Sequence, residues 1–414
     1  MNSNFIAGEF YFDAAQAPPF GLEQRLTNVQ FDDPWRSAGR ANPYPLTGAA
    51  GTQFPDYALL IQTPKDLKTT RVHNWNVAVQ RQVGENMAMS ATYIANRLVN
   101  VWGDVTGNPG LLPATNPTGP CTLQNPTAPG GVQTYPNCSL APLDVRREIT
   151  QSNPSVGRFI GYLDWVTDSG WQRYHGILLQ AQRRSARGLS TTANYTWSTC
   201  RGLVSQGGAP LNVGTGYTRP VSLVNPPANP QALFDTDEGP CSNSPTHIFN
   251  LTASAATPEF GGKAMRMLAS GWRLSGIFRA QSGDFLTVTT GLLHSTGVQA
   301  TTARANQVGN DPYGARTLSN WLSPTAFAQP APGEFGNSGR NAYQGPGRRV
   351  VDLSLVRSFR MGTQRLDARV EAFNALNWFQ WGSPITNFSD ANFGRILTLA
   401  GDPRVMQFAL KYSF

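Results

Sequence analysis

The chain has 414 residues, but only 14% of them are charged, compared with about 25% in typical soluble proteins. Its net charge of +8 comes from Lys and Arg residues that form no run, which excludes the clustered basic face of a nucleic-acid-binding protein. No apolar run approaches the roughly 18 residues of a transmembrane helix, whereas 41 glycines and 31 prolines indicate many strands joined by turn-rich loops.

Residues 1–69 are predicted to be mostly loop, because turn-forming combinations of proline, glycine, asparagine and aspartate recur along them. Strands are predicted around 5–12 and 57–62. The amino terminus lacks the basic start and the apolar core of a signal peptide. The first clear pattern begins after residue 69.

That pattern is a hairpin. Apolar and polar residues alternate along 71–83 and again along 87–99, and the turn residues Gly84-Glu85-Asn86 lie between them. With a three-residue turn the apolar rows of the two strands coincide, whereas a slip of one residue would put them on opposite faces. The predicted pairs are Val83 with Met87, Val77 with Tyr93 and Trp75 with Ala95.

The same alternation recurs along the rest of the chain. Long loops are predicted at 102–172, at 201–245 and from 282 to about 347. The remaining predicted strands are a hairpin over 174–200 with its turn at 185–188, then 246–257, 270–281, 349–359, 363–377 and 405–414. The last of these has ten residues, which is the length at which a tilted strand crosses a bilayer.

The hairpin formed by 349–359 and 363–377 is predicted to turn at Met361-Gly362. A two-residue turn at that point again brings the apolar rows of both strands to one face. The predicted pairs are Leu353 with Val370, Leu355 with Ala368, Ser354 with Arg369 and Val356 with Asp367.

Short and long connections alternate along these nine strands. Counted back from the terminal strand, every short turn falls at one end of the sheet and every long loop at the other. This sorting is typical of outer-membrane β-barrels, which have short periplasmic turns and long extracellular loops, and a soluble β-sandwich does not require it. The predicted fold class is therefore all-β, an antiparallel transmembrane β-barrel with long extracellular loops. A soluble secreted β-sandwich is the alternative.

This interpretation divides the chain into 1–69, mainly an extracellular loop with a predicted strand, and 70–414, the barrel. An outer-membrane protein is exported by means of a signal peptide, and the amino terminus does not have that pattern. We therefore expect the chain to be a piece of a longer protein or the product of a misplaced start.

The four cysteines lie in segments rich in Gly, Pro and Asn, and none forms a CxxC motif. A zinc site is therefore disfavoured. Two local disulfides, Cys121–Cys138 and Cys200–Cys241, would suit an oxidising compartment. The other two pairings and free thiols remain open.

Aromatic residues near the strand ends predict girdles at the membrane interfaces, with the packing of an ordinary core as the alternative. These residues are Trp75, Trp197, Trp272, Tyr412 and Phe414.

The sequence has no pattern of catalytic residues. Its four histidines are spread one to a segment, and the acidic turn at Asp235, Asp237 and Glu238 lacks the spacing of an EF-hand. A solvated turn is favoured over a calcium site. We predict no enzyme, no cofactor and no metal site.

Several stretches in a fixed order carry a family resemblance. They are HNWNVAVQRQVGENMAMSATYIANR (73–97), YHGILLQAQRRSARGLSTTANYTWS (174–198), FDTDEGP (234–240), HIFNLTASAATPEFGGK (247–263), GWRLSGIFRAQSG (271–283), GRRVVDLSLVRSFRMG (347–362), RLDARVEAFNALNWFQWGSP (365–384) and the terminal ALKYSF. Together they resemble the carboxy-terminal part of TonB-dependent outer-membrane receptors, in particular the Oar-like group, which has a carboxypeptidase-regulatory-like domain at its amino end.

The resemblance implies a barrel of about 22 strands in the outer membrane of a Gram-negative-type bacterium. Residues 70–414 would supply about nine or ten of these strands, as a partial barrel. The lumen would be closed by an amino-terminal plug that this sequence does not contain. The implied function is transport of a ligand that binds at the extracellular loops, energised by the TonB complex.

The partners expected are outer-membrane lipid, an extracellular ligand that the sequence does not identify, and the TonB complex through the missing plug alone; no nucleic acid is expected. A structural or adhesive barrel without transport is the alternative function.

Charged residues are predicted on the lumen-facing side of this barrel. They are Arg273, Arg279, Arg365, Asp367, Arg369 and Glu371. A solvated wall with cross-strand ion pairs is the favoured interpretation, and contact with the plug or steering of a polar substrate is the functional alternative.

Overall fold

The computed structural model describes residues 29–37, 42, 56–62, 64–108, 110–112, 116, 118–186, 188–203, 238–242, 244–293, 302–331 and 336–414. The strand predicted around 5–12 lies outside them. The strands are β1 Ala58–Gln62, β2 Arg71–Val83, β3 Met87–Thr106, β4 Cys121–Gln124, β5 Val132–Tyr135, β6 Ile160–Ala186, β7 Leu189–Gly202, β8 Gly239–Pro240, β9 His247–Ala256, β10 Trp272–Gln281, β11 Phe285–Leu286, β12 Thr289–Leu293, β13 Thr302–Arg304, β14 Asn306–Gln307, β15 Tyr313–Thr317, β16 Asn320–Leu322, β17 Phe327–Ala328, β18 Tyr343–Gln344, β19 Arg348–Met361, β20 Gln364–Phe373 and β21 Val405–Ser413.

Helices are short and lie in the connections. They are Pro34–Ser37, Leu143–Arg146, Glu148–Ser152, Pro154–Gly157 and Lys263–Ala269, with 3₁₀ turns at Cys138–Leu140 and Pro324–Ala326. Within the described ranges, none of the helices has the length and apolar character needed to cross a membrane.

Nine strands form one continuous antiparallel wall in the order β2-β3-β6-β7-β9-β10-β19-β20-β21. They are the nine strands that the alternation predicts, and the antiparallel all-β class is confirmed. Two short strands join the wall from the side: β8 pairs with β7, and β1 pairs with β6 in the parallel direction.

The two faces of the wall differ in chemistry along every strand, because successive side chains of a strand point to opposite faces. On β21 and β20 the apolar residues pair with one another, as in Phe408 with Val370 and Leu410 with Ala368. The apolar face is bare: Val79 is 68% exposed, Phe408 71% and Leu410 77%. No second layer of the described residues covers it, which is the arrangement expected of a wall whose apolar face meets lipid.

The register of the first hairpin is the predicted one. Val83 pairs with Met87, Val77 with Tyr93 and Trp75 with Ala95. The turn residue Gly84 has a φ of +63°, a conformation that glycine adopts without steric cost.

The register predicted for the last hairpin is wrong by two residues. Leu353 pairs with Ala372 instead of Val370, and Leu355 pairs with Val370 instead of Ala368. The turn lies at Gly362-Thr363, with Gly362 first at a φ of +64°. A two-residue turn with glycine in its first central position matches the twist of the strands. Because the error is an even number of residues, each side chain keeps its predicted face.

On the polar face the same shift changes the partners of the last hairpin. The structure pairs Ser354 with Glu371 and Val356 with Arg369, where Arg369 and Asp367 were expected.

Connections are sorted by length. The short ones are 84–86, 187–188, 257–271 and 362–363, and the long ones are 107–159, 203–246, 282–347 and 374–404. The prediction of a loop over 102–172 is wrong at both ends, since β3 continues to Thr106 and β6 begins at Ile160. This extension lacks a one-sided apolar row, because a strand beyond the bilayer is not bound to face lipid on one side.

The strands are inclined to the row of paired residues that crosses the wall. The row that starts at Val83, beside a short turn, ends at Met406, beside a long connection. A steady stagger of this kind is the shear that strand tilt produces in a barrel wall.

Candidate functional site

The predicted lumen-facing charges all lie on the polar face of the wall. On β20, Arg365, Asp367, Arg369 and Glu371 alternate with the apolar row, and on β10, Arg273 and Arg279 point the same way because Arg273 pairs with Val356 and Val356 with Arg369. β19 separates the two groups. The structure therefore brings these residues to one face without gathering them at one point.

Ion pairs organise this face. Arg365 Nε lies 2.7 Å from Asp367 Oδ1, and Arg369 Nη1 lies 3.5 Å from Glu371 Oε1. Both pairs join residues of the same strand. Among the ion pairs that the described residues form at the predicted charges, that of Arg279 joins two strands and is described next. A wall with ion pairs between strands stays a prediction. Contact with a plug or a substrate stays a prediction.

Asp352 links the wall to the connection above it. Arg279 Nη2 donates to Asp352 Oδ2 at 2.7 Å, and the backbone N–H of Asn374 donates to Asp352 Oδ1 at 2.9 Å. The Asp352 side chain is only 16% exposed. One carboxylate thus holds a strand of the wall and the start of connection 374–404 together.

A cavity of about 290 Å³ opens where this connection crosses the wall. Arg279 and Arg348 contribute cations to its lining, Asn250 and Gln380 contribute amides, and Asp402 contributes a carboxylate. Arg348 Nη2 is paired with Asp284 Oδ2 at 2.8 Å. The cavity has polar and apolar parts to its lining and lies at the long-connection end, so it can accept a molecule that has a charged or hydrogen-bonding group. Sequence patterning could not find it, because a third of its lining residues come from a connection that does not alternate.

The long connections fold on each other. Connections 282–347 and 374–404 share an apolar core whose fully buried members include Val288, Leu322 and Tyr343. Phe327 packs edge-on against Tyr343 and Phe393, with ring centroids 5.3 and 5.5 Å apart. This core was not predicted. Its effect is to give the long-connection end a fixed shape.

Connection 107–159 has a framework of its own. β4 and β5 form a ribbon, and Cys121 and Cys138 form a disulfide with their Cα atoms 5.4 Å apart. The side chain of Asn108, fully buried, donates to the carbonyls of Ile160 and Gly161. The second predicted disulfide, Cys200–Cys241, also forms, with Cα atoms 5.3 Å apart. The predicted pairing is confirmed.

Two arginines are buried in the same connection. Arg147 Nε lies 2.7 Å from Asp144 Oδ1, and Arg147 Nη1 donates to the Asn108 carbonyl at 2.9 Å. Arg146 donates through Nε to the carbonyl of Ala141 at 2.9 Å. Burial, and then the nearby charge of Arg147, lower the pKa of Arg146 to about 10. These side chains hold the connection together.

The predicted interface aromatics lie on the apolar face at two levels. Trp75 and Trp197 lie toward the long connections, and Trp272, Tyr412 and Phe414 toward the short ones. Two histidines lie on this face beside tyrosines: Tyr93 Oη is 2.7 Å from His175 Nδ1, and Tyr195 Oη is 2.8 Å from His247 Nδ1. The girdle itself stays a prediction.

The structure brings together no chemical site from the other singled-out residues. Glu238 lies 3.5 Å from Arg201, while Asp235, Asp237 and His294 fall outside the described residues. In the described part of the chain no group of three or more His, Cys, Asp or Glu residues could hold a metal ion.

The sequence matches the family model described as outer membrane beta barrel domain over residues 2–407. The chain therefore belongs to this family, and it lies in the outer membrane as part of a β-barrel wall. The alternative of a soluble β-sandwich is wrong, in keeping with an apolar face that no described residue covers. A comparison with curated protein sequences finds no match.

Three solved structures are similar to parts of this chain. The outer membrane transporter YddB from Escherichia coli shares 10% identity, with 86% of this chain and 34% of that chain covered and a TM-score of 0.42. BauA, the ferric preacinetobactin receptor from Acinetobacter baumannii, shares 12% identity, with 83% of this chain and 29% of that chain covered and a TM-score of 0.37. The FrpB iron transporter from Neisseria meningitidis shares 11% identity, with 85% of this chain and 33% of that chain covered and a TM-score of 0.35. The chain spans about a third of the length of these proteins.

Proposed function

We propose that this chain is part of the barrel of a TonB-dependent receptor of the Oar-like group, which binds a ligand at its extracellular loops for energised transport. One observation carries the proposal: the long connections all leave the wall at one end, where a disulfide closes connection 107–159 and a cavity with two arginines in its lining lies beside connection 374–404. The resemblance of the matching stretches to these receptors supports it. The TonB complex would act through a plug encoded upstream of this sequence.

The cavity beside Asp352 is the ligand subsite that the geometry favours. Arg279 and Arg348 place two cations at the base of the extracellular connections, and amides lie beside them. Guanidinium groups suit carboxylate and other anionic oxygens because they donate two parallel hydrogen bonds. A ligand with an anionic or strongly polar group would fit this subsite.

Uptake by cells tests the transport proposal. In the producing bacterium, with the gene in its genomic context, we expect gene-dependent uptake of ⁵⁵Fe supplied as ferric citrate or as a ferric catecholate, and loss of that uptake when a protonophore collapses the protonmotive force. The alternative is an adhesive or structural barrel. Gene-dependent binding at the cell surface without uptake of any probe would favour it.

A pair of variants separates the functional from the structural role of the polar wall. Arg369→Glu places two carboxylates beside each other, whereas Arg369→Glu combined with Glu371→Arg restores an opposite-charge pair with its order reversed. If the pair is structural, the double variant should transport and assemble like the parent. If the wall steers a ligand or contacts a plug, the double variant should assemble normally and transport less. Normal transport in both variants would contradict the functional role.

A further inference from the structure

Arg357 occupies an unusual position on the apolar face. Its residue is only 7% exposed, and its guanidinium carbon lies 5.2 Å from the centroid of the Trp272 ring and 5.0 Å from that of Phe359. Nη2 donates to the carbonyl of Met267 in helix Lys263–Ala269. The side chain is therefore fixed between two rings and the end of a helix, near the short-connection end of the wall.

One nitrogen of this guanidinium is buried and has no partner. Among the described residues, no acceptor lies within hydrogen-bond distance of Arg357 Nη1. A buried cation with an unmet donor is strongly disfavoured, and more so on a face that meets lipid. The arrangement therefore indicates an anionic acceptor that is not part of the chain.

The surroundings of Arg357 are positive. A cavity of about 810 Å³ at the short-connection end is lined by Arg357, by Arg266 of the neighbouring helix and, from the polar face of the wall, by Arg273, Arg360 and Arg365, while the described residues give it one carboxylate, Glu259. Glu259 lies 3.3 Å from Arg360 and both side chains are exposed, so this pair screens little of the charge. An anion at Arg357 would meet a complementary field.

An apolar groove begins at the same residue. A second cavity, of about 620 Å³, runs along the apolar face with Leu355, Val370, Phe408 and Leu410 in its lining. Ala368 lies within it, flanked by Arg357 and Leu410 as its paired neighbours. Because the side chain of Ala368 is small, the groove is deep at this residue. One end of the groove is thus cationic and its length is apolar.

Helix Lys263–Ala269, next to Arg357, also has the surface expected at a membrane interface. In helix Lys263–Ala269, Met265, Met267 and Leu268 are exposed by 52%, 71% and 69%. Trp272 Nε1 donates to the carbonyl of Leu268 at 2.8 Å and so fastens the end of this helix to the wall. Exposed apolar side chains next to a tryptophan are typical of the membrane interface.

We propose that Arg357 and the groove along Ala368 bind one anionic phospholipid of the leaflet at the short-connection end. The phosphate accepts from the Arg357 guanidinium, and one acyl chain lies over Ala368 between Leu355 and Leu410. The occupant is a membrane lipid because the cation and the groove are continuous on the face that meets the bilayer. The site depends on the membrane placement of the wall and not on transport.

Native mass spectrometry of the full-length protein, held in detergent micelles to which palmitoyl-oleoyl-phosphatidylglycerol is added, tests this site. We expect retained lipid on the parent protein and a loss of about ten-fold to a hundred-fold in lipid affinity for Arg357→Gln, the range for a hydrogen bond to a charged group. Ala368→Phe, which fills the groove and leaves Arg357 in place, should also lose lipid. Arg81→Gln is the matched control, because Arg81 is an exposed arginine on the same face near another short turn.

Two further measurements keep the proposal open to refutation if a variant fails to assemble. A phosphatidylglycerol with a photoreactive acyl chain should crosslink in the parent protein to peptides that contain 366–370 and 405–414, ahead of peptides from β2 and β3. Inorganic phosphate should not displace the lipid. Uniform crosslinking around the apolar face, equal retention by Arg357→Gln and the parent, or displacement by free phosphate would overturn the proposal.

Discussion

Single residues on the apolar face show how polar atoms are handled where water is absent. Tyr93 and His175 lie on neighbouring strands, diagonal to each other, and their rings stack with centroids 6.2 Å apart. Tyr195 and His247 repeat the arrangement with centroids 6.1 Å apart. In each case the phenol hydroxyl and the imidazole Nδ1 share a hydrogen bond. The repetition follows from the register, since both pairs join residues of adjacent antiparallel strands.

Removal of the Tyr93 hydroxyl should show how much the Tyr93–His175 contact contributes to the free energy of unfolding. Tyr93→Phe is expected to destabilise the barrel by about 1 kcal/mol, the net value of a hydrogen bond in water and in membranes. Urea unfolding of protein reconstituted in lipid vesicles measures it. Tyr412→Phe is the control, because the Tyr412 ring contacts Phe414 and the described residues give its hydroxyl no hydrogen bond. Equal effects of the two substitutions would argue against a stabilising Tyr93–His175 bond.

Single elements of the wall depend on backbone conformations at their turns. Gly362 holds a φ of +64° at the first position of the turn between β19 and β20, with nothing within 4 Å of an added Cβ. Any cost of a side chain there is therefore conformational and not steric crowding by neighbours. This separates the effect of the turn from the effect of packing.

Gly362→Ala should destabilise the hairpin by about 1–2 kcal/mol, the penalty for the left-handed conformation in a residue with a Cβ. The same vesicle unfolding measurement applies. Gly261→Ala serves as the control, since Gly261 has open space around it and no positive φ. If both variants unfold at the parent's urea concentration, the turn does not determine the stability of this hairpin.

The disulfide in connection 107–159 is another local constraint. Replacement of Cys121 and Cys138 by serine removes a link across a sequence separation of 17 residues. In the chain-entropy account a loop of this size contributes about 3 kcal/mol. We expect limited proteolysis of intact cells to cut this connection faster, while the strands of the wall stay protected. Unchanged cleavage would show that the buried Asn108 and Arg147 hold the connection without the disulfide.

At the scale of the whole molecule, the separation of an apolar and a polar face decides where the protein resides. Phe408 and Ala409 are neighbours on β21 that face opposite sides. Phe408→Arg is expected to cost about 2–4 kcal/mol, because it puts a charge into lipid. Ala409→Arg, on the polar face, should be tolerated. Heat-modifiable migration in electrophoresis reports the assembled barrel, and equal assembly of both variants would contradict the assignment of the faces.

Most of the wall could be predicted from the sequence because the chemistry of lipid imposes a period of two on it. The pairs of the first hairpin and the nine strands follow from that period, since only one register puts both apolar rows on one face. The register of the last hairpin is predicted wrongly because both registers bring the apolar rows of its two strands to one face. The two registers differ in the position of the turn, and the positive φ of Gly362 belongs to the turn that forms.

Features outside the bilayer were harder to predict. The extension of β6 back to Ile160, its parallel contact with β1 and the shared core around Leu322 all form between segments far apart in sequence, in surroundings that impose no alternation. The two disulfides were predicted because the cysteines of each pair are neighbours along the sequence, in segments rich in glycine, proline and asparagine. Prediction of the cavity at Arg279 and Arg348 would have required the path of connection 374–404. Nothing in the sequence distinguishes Arg357 from other charged residues of the strands.

The direction of β2 and β21, the outermost strands of the wall, determines how a barrel that contains this wall can close. β2 runs into the short turn at Gly84, and β21 also runs from a long connection toward the short-connection end. The two point the same way, so joining them directly would create a parallel seam in an otherwise antiparallel sheet. A seam with antiparallel pairing throughout requires an odd number of additional strands between them, which gives the even total found in bacterial outer-membrane barrels.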